Sequence, residues 1–320
     1  MGELFSHFFV FLDNNCIFVK KFLSMNILVI GGNGQLAQCI EDVTLEKKNK
    51  DNTYYFSDRN TVDVTNIDTI INFIKEHNIE IVINCAAYTN VEKSETDKEM
   101  AFLINEQGIK NVVDVCRNKN IYVIHISTDF VFDGNDNVPY DEEVLKNPLS
   151  VYGESKSLGE DYALKYDKCI VLRTSWLYSE YGNNFCKTIL KRVKERIDTK
   201  VVQDQIGTPT YANDLAKFIV NIINNGDYAK HSGVFHFSNE GTCSWYDFAK
   251  TIEYLYKVKN KIDINELCVI KPCMTSEYPT KAIRPRYSVL DKTKIKETFN
   301  IKLNHWVVSL DKCINKMLMF

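Results

Sequence analysis

The chain has 320 residues, of which 45% are hydrophobic and 25% charged, and it carries a formal net charge of −3. This length allows a large core spread over one to three domains, and the balance is that of a soluble globular protein. The charge argues against a general nucleic-acid binder, which would present a basic face; the basic run from Lys187 to Lys200 reads as a solvated helix face.

Residues 1–24 stand apart. Phe8-Phe9-Val10-Phe11-Leu12 is apolar but is cut by Asp13-Asn14-Asn15, too short a run to span a bilayer. Glu3 sits where a signal peptide carries positive charge, and no small-residue cleavage site follows. The expectation is an N-terminal extension outside the fold, with Met25 opening the first domain.

From there the elements alternate. Asn26–Ile30 is a short β-branched run that enters Gly31-Gly32-Asn33-Gly34, a buried strand running into a tight turn, and a helix follows from Gln35. Thr53–Ser57 reads as a second strand and Ile67–Glu76 as a helix. Ile79–Asn84 is a third strand and Ala101–Arg117 an amphipathic helix. Ile121–Ile126, the helix Ser150–Leu164 and the strand Cys169–Leu172 continue the pattern. Alternation at this spacing predicts an α/β fold, a doubly wound parallel (Rossmann) sheet covered on both faces. After about residue 175 it loosens into proline- and aromatic-containing loops, as expected of a smaller C-terminal substrate-binding domain. The division expected is a dinucleotide-binding domain over 25–175 plus about 199–240, and a substrate-binding domain over about 176–198 and 241–320. The ten cysteines include no C-x-x-C pair, and Cys39, Cys85, Cys116 and Cys169 fall in or beside apolar segments. They read as small buried hydrophobes in a reducing, cytoplasmic compartment, with no zinc cluster.

Chemistry gathers at the strand ends. The glycine turn parses as Gly31-x-x-Gly34-x-x-Ala37 or as Gly32-x-Gly34-x-x-Ala37. Either lets a pyrophosphate approach the backbone and rest at a helix N-terminus. The second strand ends in Asp58 and Arg59, an acid suited to ribose hydroxyls beside a guanidinium suited to a 2′-phosphate, which leaves NADH and NADPH both open; Asp63-Val64 follow along the adenine path. Ala86-Ala87-Tyr88 after the third strand are placed where a cofactor backbone passes. Ser127-Thr128-Asp129-Phe130 end the next strand, where ligands of open α/β sheets bind. Tyr152 and Lys156 lie four apart on one helical face. A nearby ammonium favours ionisation of a phenol, and such a pair serves carbonyl reduction by giving a proton to the developing alkoxide.

In this order the motifs resemble the extended short-chain dehydrogenase/reductase superfamily. The finer ones are Gly34-Gln35-Leu36, Ala86-Ala87-Tyr88-Thr89-x-Val91-Glu92, Ser127-Thr128-Asp129-Phe130-Val131-Phe132-Asp133-Gly134, Pro148-Leu149-Ser150-Val151-Tyr152-Gly153, Arg173-Thr174-Ser175-Trp176, Gln205-Ile206-Gly207-Thr208-Pro209-Thr210 and Arg284-Pro285-Arg286-Tyr287-Ser288. They resemble the dTDP-4-dehydrorhamnose reductase family from about Met25 to near the C-terminus.

The resemblance implies NADPH- or NADH-dependent reduction of the C4 ketone of a dTDP-linked deoxysugar. Tyr152 matches the catalytic acid, Lys156 the lysine that holds the nicotinamide ribose, and Thr128 the hydroxyl that polarises the ketone. Gly31, Asn33, Gly34, Gln35, Leu36, Asp58, Arg59, Asp63, Val64, Ala86, Ala87 and Tyr88 are expected at the cofactor. Asp129, Phe130, Trp176 and Arg286 are expected at the substrate, Arg286 toward its diphosphate. Phe130 stands where the family usually has tyrosine, and Ala37 where a third glycine is usual. The family implies a monomer or homodimer, with magnesium in some members; no carboxylates match that metal, and none is assigned. No nucleic-acid or membrane partner is expected. Two other readings remain open: another nucleotide-sugar reductase or epimerase, and a non-catalytic regulatory subunit resembling that of methionine adenosyltransferase.

Overall fold

The computed structural model describes residues 8–12, 15–19, 24–46, 52–263 and 268–319. Within 1–24, Phe8–Leu12 pairs antiparallel with Asn15–Val19 as a separate two-stranded sheet; the rest of the expected extension, apart from Ser24, lies outside the described residues. No helix among the described residues is long and apolar enough to cross a membrane.

The main sheet has six parallel strands: β1 Asn26–Ile30, β2 Thr53–Ser57, β3 Ile81–Asn84, β4 Tyr122–Thr128, β5 Cys169–Thr174 and β6 Gly233–His236. Their order across the sheet is β6-β5-β4-β3-β1-β2. The expected doubly wound sheet is thus present, and the order reverses between β1 and β3. At such a switch point the connections leave toward opposite faces, which opens a crevice at the carboxyl ends of the strands.

The main helices are α1 Gln35–Glu46, α2 Ile67–His77, α3 Gly108–Lys119, α4 Val151–Ala163, α5 Phe185–Lys194, α6 Ala212–Asn224, α7 Trp245–Asn260 and α8 Trp306–Met319. Alternate residues of β1 explain both cores. Ile27 and Val29 join α1 and α6 on one face, while Leu28 and Ile30 join α2 and α3 on the other. Every residue of β3 and β5 is buried, as expected for strands covered on both sides. A third core, away from the sheet, packs Tyr178, Ile189, Phe248, Trp306 and Leu310.

Helix ends follow local chemistry. Asn66 caps α2 by accepting from Asp68 N, and Asn78 closes it at φ 49°, a left-handed position that asparagine tolerates. One element departs from expectation. The helix expected over Ala101–Arg117 is α-helical at Lys98–Phe102, π-helical at Leu103–Gln107 and α-helical again in α3. The wider turn brings Asn105 inward, to 2% exposure, where its amide finds three partners described below. Such bulges recur at functional sites. The nine cysteines from Cys39 to Cys313 are unpaired, and all of them but Cys85 are buried.

Candidate active site

The turn after β1 is drawn against its neighbours. The N–H groups of Gly31 and Gly32 both donate to Ser57 O at the end of β2, at 3.0 and 2.7 Å. Gly31 adopts φ +83°, and a Cβ there would lie 2.9 Å from Ala86 N, beyond the end of β3. Only glycine fits this double constraint. Gly34, Gln35 and Leu36, at the start of α1, line the crevice, and a helix N-terminus placed there suits an anion.

A cavity of about 800 Å³ runs from this turn along the strand ends. One end is lined by Gly31, Asn33, Gly34, Gln35, Leu36, Asp58, Arg59, Asp63, Val64, Ala86 and Ala87; the other by Thr128, Asp129, Phe130, Tyr152, Lys156 and Trp176. Two expected residues do not line it. The Tyr88 side chain turns away, its hydroxyl donating to Asp97 at 3.0 Å. Arg286 is exposed; Arg284, two positions earlier, lines the cavity instead.

At the β2 end, Asp58 is committed to its own turn. Its Oδ1 accepts from Asn60 N, Thr61 N and the Thr61 hydroxyl at 3.0–3.1 Å. These bonds, the Thr61 backbone first, hold the carboxyl below its usual range. Arg59 is exposed on the rim and donates to Asp63 at 3.1 Å.

The reacting end is built where β4 meets α4. Ser150 caps α4 by accepting from Gly153 N at 3.2 Å. Gly153 packs so tightly that a Cβ would sit 2.2 Å from Phe130 O, so the first turn of α4 presses onto the Ser-Thr-Asp turn. That contact sets Tyr152 beside Thr128, and both line the same cavity. Phe130 meets the Tyr152 ring edge-to-face at 5.4 Å. Thr128 also donates to Asp129 at 3.0 Å.

Burial dominates the ionisation of these groups. It pushes the Tyr152 phenol up to about 12, with the nearby Asp129 adding to the rise and Thr128 opposing it. It pushes Asp129 up to about 6, and Asp129 Oδ2 has no hydrogen-bond partner among the described residues. It brings Lys156 down to about 8, against the pull of Glu160 and Cys85 toward the ammonium form. The phenol is therefore protonated and ready to donate. Glu160 itself is tied to Arg173 and accepts from Ser127 at 2.8 Å, which braces α4 against β4 and β5.

Three further residues matter that the sequence did not single out. Asn105 accepts from Tyr88 N at 2.8 Å and donates to Tyr88 O at 3.1 Å and to the Ser155 hydroxyl at 3.0 Å. It thus clamps the loop after β3 to the turn of α4 that carries Tyr152 and Lys156. Trp245, at the start of α7, stacks on Trp176 with centroids 3.6 Å apart and planes 7° off parallel. Arg284 donates to Glu92 at 3.0 Å. Asn105 and Trp245 have no local signal beyond residue type, because each partner comes from a distant part of the chain; Arg284 opens the Arg284-Pro285-Arg286-Tyr287-Ser288 segment, where Arg286 was the residue expected at the site.

A parallel sheet with a glycine turn at its switch point, and a Tyr-x-x-x-Lys helix beside a strand-end threonine, defines an extended short-chain dehydrogenase/reductase. Comparison with known proteins narrows the class. Residues 25–319 match the family model described as RmlD substrate binding domain. The dTDP-4-dehydrorhamnose reductase of Aggregatibacter actinomycetemcomitans is 38% identical over 287 residues, covering 88% of this chain and 95% of that one. The crystal structure of a dTDP-4-dehydrorhamnose reductase from Clostridium acetobutylicum superposes with a TM-score of 0.84 at 36% identity, over 92% of this chain and all of that one. The Bacillus anthracis dTDP-4-dehydrorhamnose reductase, solved in complex with NADP, gives the same TM-score at 33% identity and the same coverage. The chain belongs to the dTDP-4-dehydrorhamnose reductase family.

Proposed function

We propose that this protein reduces the C4 ketone of dTDP-4-dehydro-6-deoxy-L-mannose to give dTDP-L-rhamnose, the last step of dTDP-rhamnose biosynthesis for surface polysaccharide. The observation that carries this reading is the convergence of Thr128, Tyr152 and Lys156 on one cavity whose other end is the glycine turn, in a chain of this family. The residues present fit a nicotinamide dinucleotide: Gly31 keeps the turn pressed against the backbone at Ala86, and the start of α1 beside it lines the cavity and offers donors to a pyrophosphate. A bound NADPH or NADH would supply the hydride.

The chain's own residues do the rest. Thr128 donates to the ketone oxygen and holds it at the Tyr152 hydroxyl. Tyr152 gives up its proton as charge develops on that oxygen. Lys156 in its ammonium form favours the phenolate left behind and contacts the ribose side of the cofactor. Trp176 and Trp245 form an aromatic wall for the sugar. Arg284, rather than Arg286, meets the diphosphate, where a planar guanidinium offers paired donors. The cofactor is held by residues 25–175 with about 199–240, and the sugar nucleotide by about 176–198 and 241–320.

The test supplies dTDP-glucose with the two preceding pathway enzymes, adds this protein, and follows NADPH and NADH oxidation separately. Stoichiometric oxidation with formation of dTDP-L-rhamnose is expected. Product formation without net oxidation would mark an epimerase instead.

A further inference from the structure

Beneath the reacting pair, two side chains that the mechanism above does not use join Lys156 in a polar chain on the sheet. Asn84, His125 and Lys156 are 2%, 1% and 1% exposed, and they touch in series. The Asn84 amide lies 3.2 Å from His125 Nδ1, and His125 Nε2 lies 3.4 Å from Lys156 Nζ. The lysine also donates to Ile126 O at 2.6 Å. A buried histidine is usually a satisfied core group. This one differs because its second ring nitrogen faces the amine that serves Tyr152.

The tautomer follows from the pattern of donors. Ala86 N donates to Asn84 Oδ1 at 3.2 Å. That orients the amide, with its oxygen toward Ala86 and its NH₂ toward His125. Nδ1 must then accept. Burial, reinforced by Lys156, drives the His125 pKa well below its usual value, so the ring is neutral and carries one proton. That proton is on Nε2 and points at Lys156. A lysine amine can accept it, whereas an ammonium would meet it donor to donor. The opposite arrangement, with the proton on Nδ1 and the Asn84 amide turned over, offers the ammonium an acceptor but leaves Ala86 N–H without one. The remaining groups facing Lys156 are Glu160 one turn on, Cys85 from the end of β3, and Tyr152 one turn back; Glu160 and Cys85 favour the ammonium.

We infer that Asn84 fixes the tautomer of His125 and, through it, the charge carried by Lys156, which makes His125 a positioning residue for the tyrosine–lysine pair. The inference rests on the reductase reading only in taking that pair as the reacting one. With burial already bringing Lys156 down to about 8, a modest bias decides its form near neutrality. Ala86, whose N–H orients Asn84, lines the dinucleotide cavity. The hydrogen-bond chain therefore runs from the cofactor wall to the lysine.

Two measurements test this. In the full chain labelled with ¹⁵N-histidine, long-range ¹H–¹⁵N spectra at neutral pH read the tautomer without substrate or cofactor. The His125 proton is expected on Nε2 in the wild type. In Asn84→Asp, whose carboxylate can accept from both Ala86 N–H and the ring, it is expected on Nδ1. A wild-type proton on Nδ1 overturns the inference. Second, Asn84→Asp is expected to move the alkaline limb of the kcat profile up by about one pH unit, and to move nothing in a His125→Phe background. Equal shifts in both backgrounds would mean a direct charge effect and overturn the relay, as would no shift in either. If the wild type fails to reduce the ketosugar at any pH, the reductase reading falls, and the spectra still decide the tautomer.

Discussion

Trp176 lies face to face with Trp245, their ring centroids 3.6 Å apart, although Trp176 sits at φ 48°. Left-handed backbone is costly for a bulky residue, and the neighbourhood fixes it: a Cβ at Gly207 would lie 2.5 Å from the Trp176 ring. The indole is clamped on one face by Trp245 and at its edge by a glycine. Trp245→Leu is expected to raise the KM for the sugar nucleotide about fivefold, consistent with the ~0.5–1.5 kcal/mol of an aromatic pair, with little change in cofactor KM. Equal loss on both substrates in steady-state kinetics would count against an aromatic wall specific to the sugar.

Tyr152→Phe removes the proton donor and keeps the ring that packs on Phe130. A fall in kcat of about 10²–10⁴ is expected for a lost general acid, with NADPH binding unchanged by fluorescence titration. Wild-type turnover in this variant would remove Tyr152 from the mechanism.

Arg59 is the cation at the rim of the cavity, and its partner Asp63 leaves it two-thirds exposed. Arg59→Ala is expected to raise the KM for NADPH about tenfold through loss of a charge-assisted contact to a 2′-phosphate, and to leave the KM for NADH in place. Parallel kinetics with the two cofactors decide this, and equal effects on both would place the 2′-phosphate elsewhere.

Asp129 links the site to stability. Its folded pKa, about 6, is raised above the ordinary 3.8, so between those values the unfolded chain binds fewer protons than the folded one. Stability therefore falls as pH rises through this window and stays lower above it. The loss is of the order of 3 kcal/mol for a fully buried group. Asp129→Asn removes the dependence: relative to wild type, its melting temperature should climb from pH 4 to pH 6 and then level off. Parallel melting curves across that range would show that Asp129 titrates normally.

Asn105→Leu keeps the volume but strands Tyr88 N and O, while the Ser155 hydroxyl keeps its bond to Tyr152 O. A cost of about 2–4 kcal/mol is expected from buried groups left unpaired, together with weaker cofactor binding because the loop after β3 loses its clamp. Denaturant unfolding and a cofactor titration measure the two effects; unchanged cofactor affinity in a destabilised variant would reduce Asn105 to a purely structural role.

Much of this was legible in the chain. Strands β1 and β3 announce themselves because a parallel strand buried on both faces must be a continuous apolar run, while β2, half-exposed at the sheet edge, shows as a short aromatic run. Gly31, Thr128, Tyr152 and Lys156, which line one cavity, could be picked out because each follows directly from a strand end or a helical spacing. The residues that escaped are those whose meaning is a distant partner. Nothing near Trp245 in sequence points to Trp176. Nothing around Asn105 announces a π turn, since Leu103–Gln107 carries the same apolar spacing as an α-helix. Arg284 and Arg286 bracket one proline, and only the path of the backbone, where Ile206 N takes the Arg286 carbonyl at 2.7 Å, decides which guanidinium faces the cavity.

Arg284 has a carboxylate partner before any ligand arrives. Glu92 accepts from its guanidinium and from Lys281 N, and although burial opposes it, these bonds hold the Glu92 carboxyl below its usual range. On the proposed reading, a diphosphate entering at Arg284 would exchange one anion for another. The swap would return little net free energy, so charge there would select the nucleotide without gripping it, and Glu92 would retake the guanidinium as the sugar nucleotide leaves.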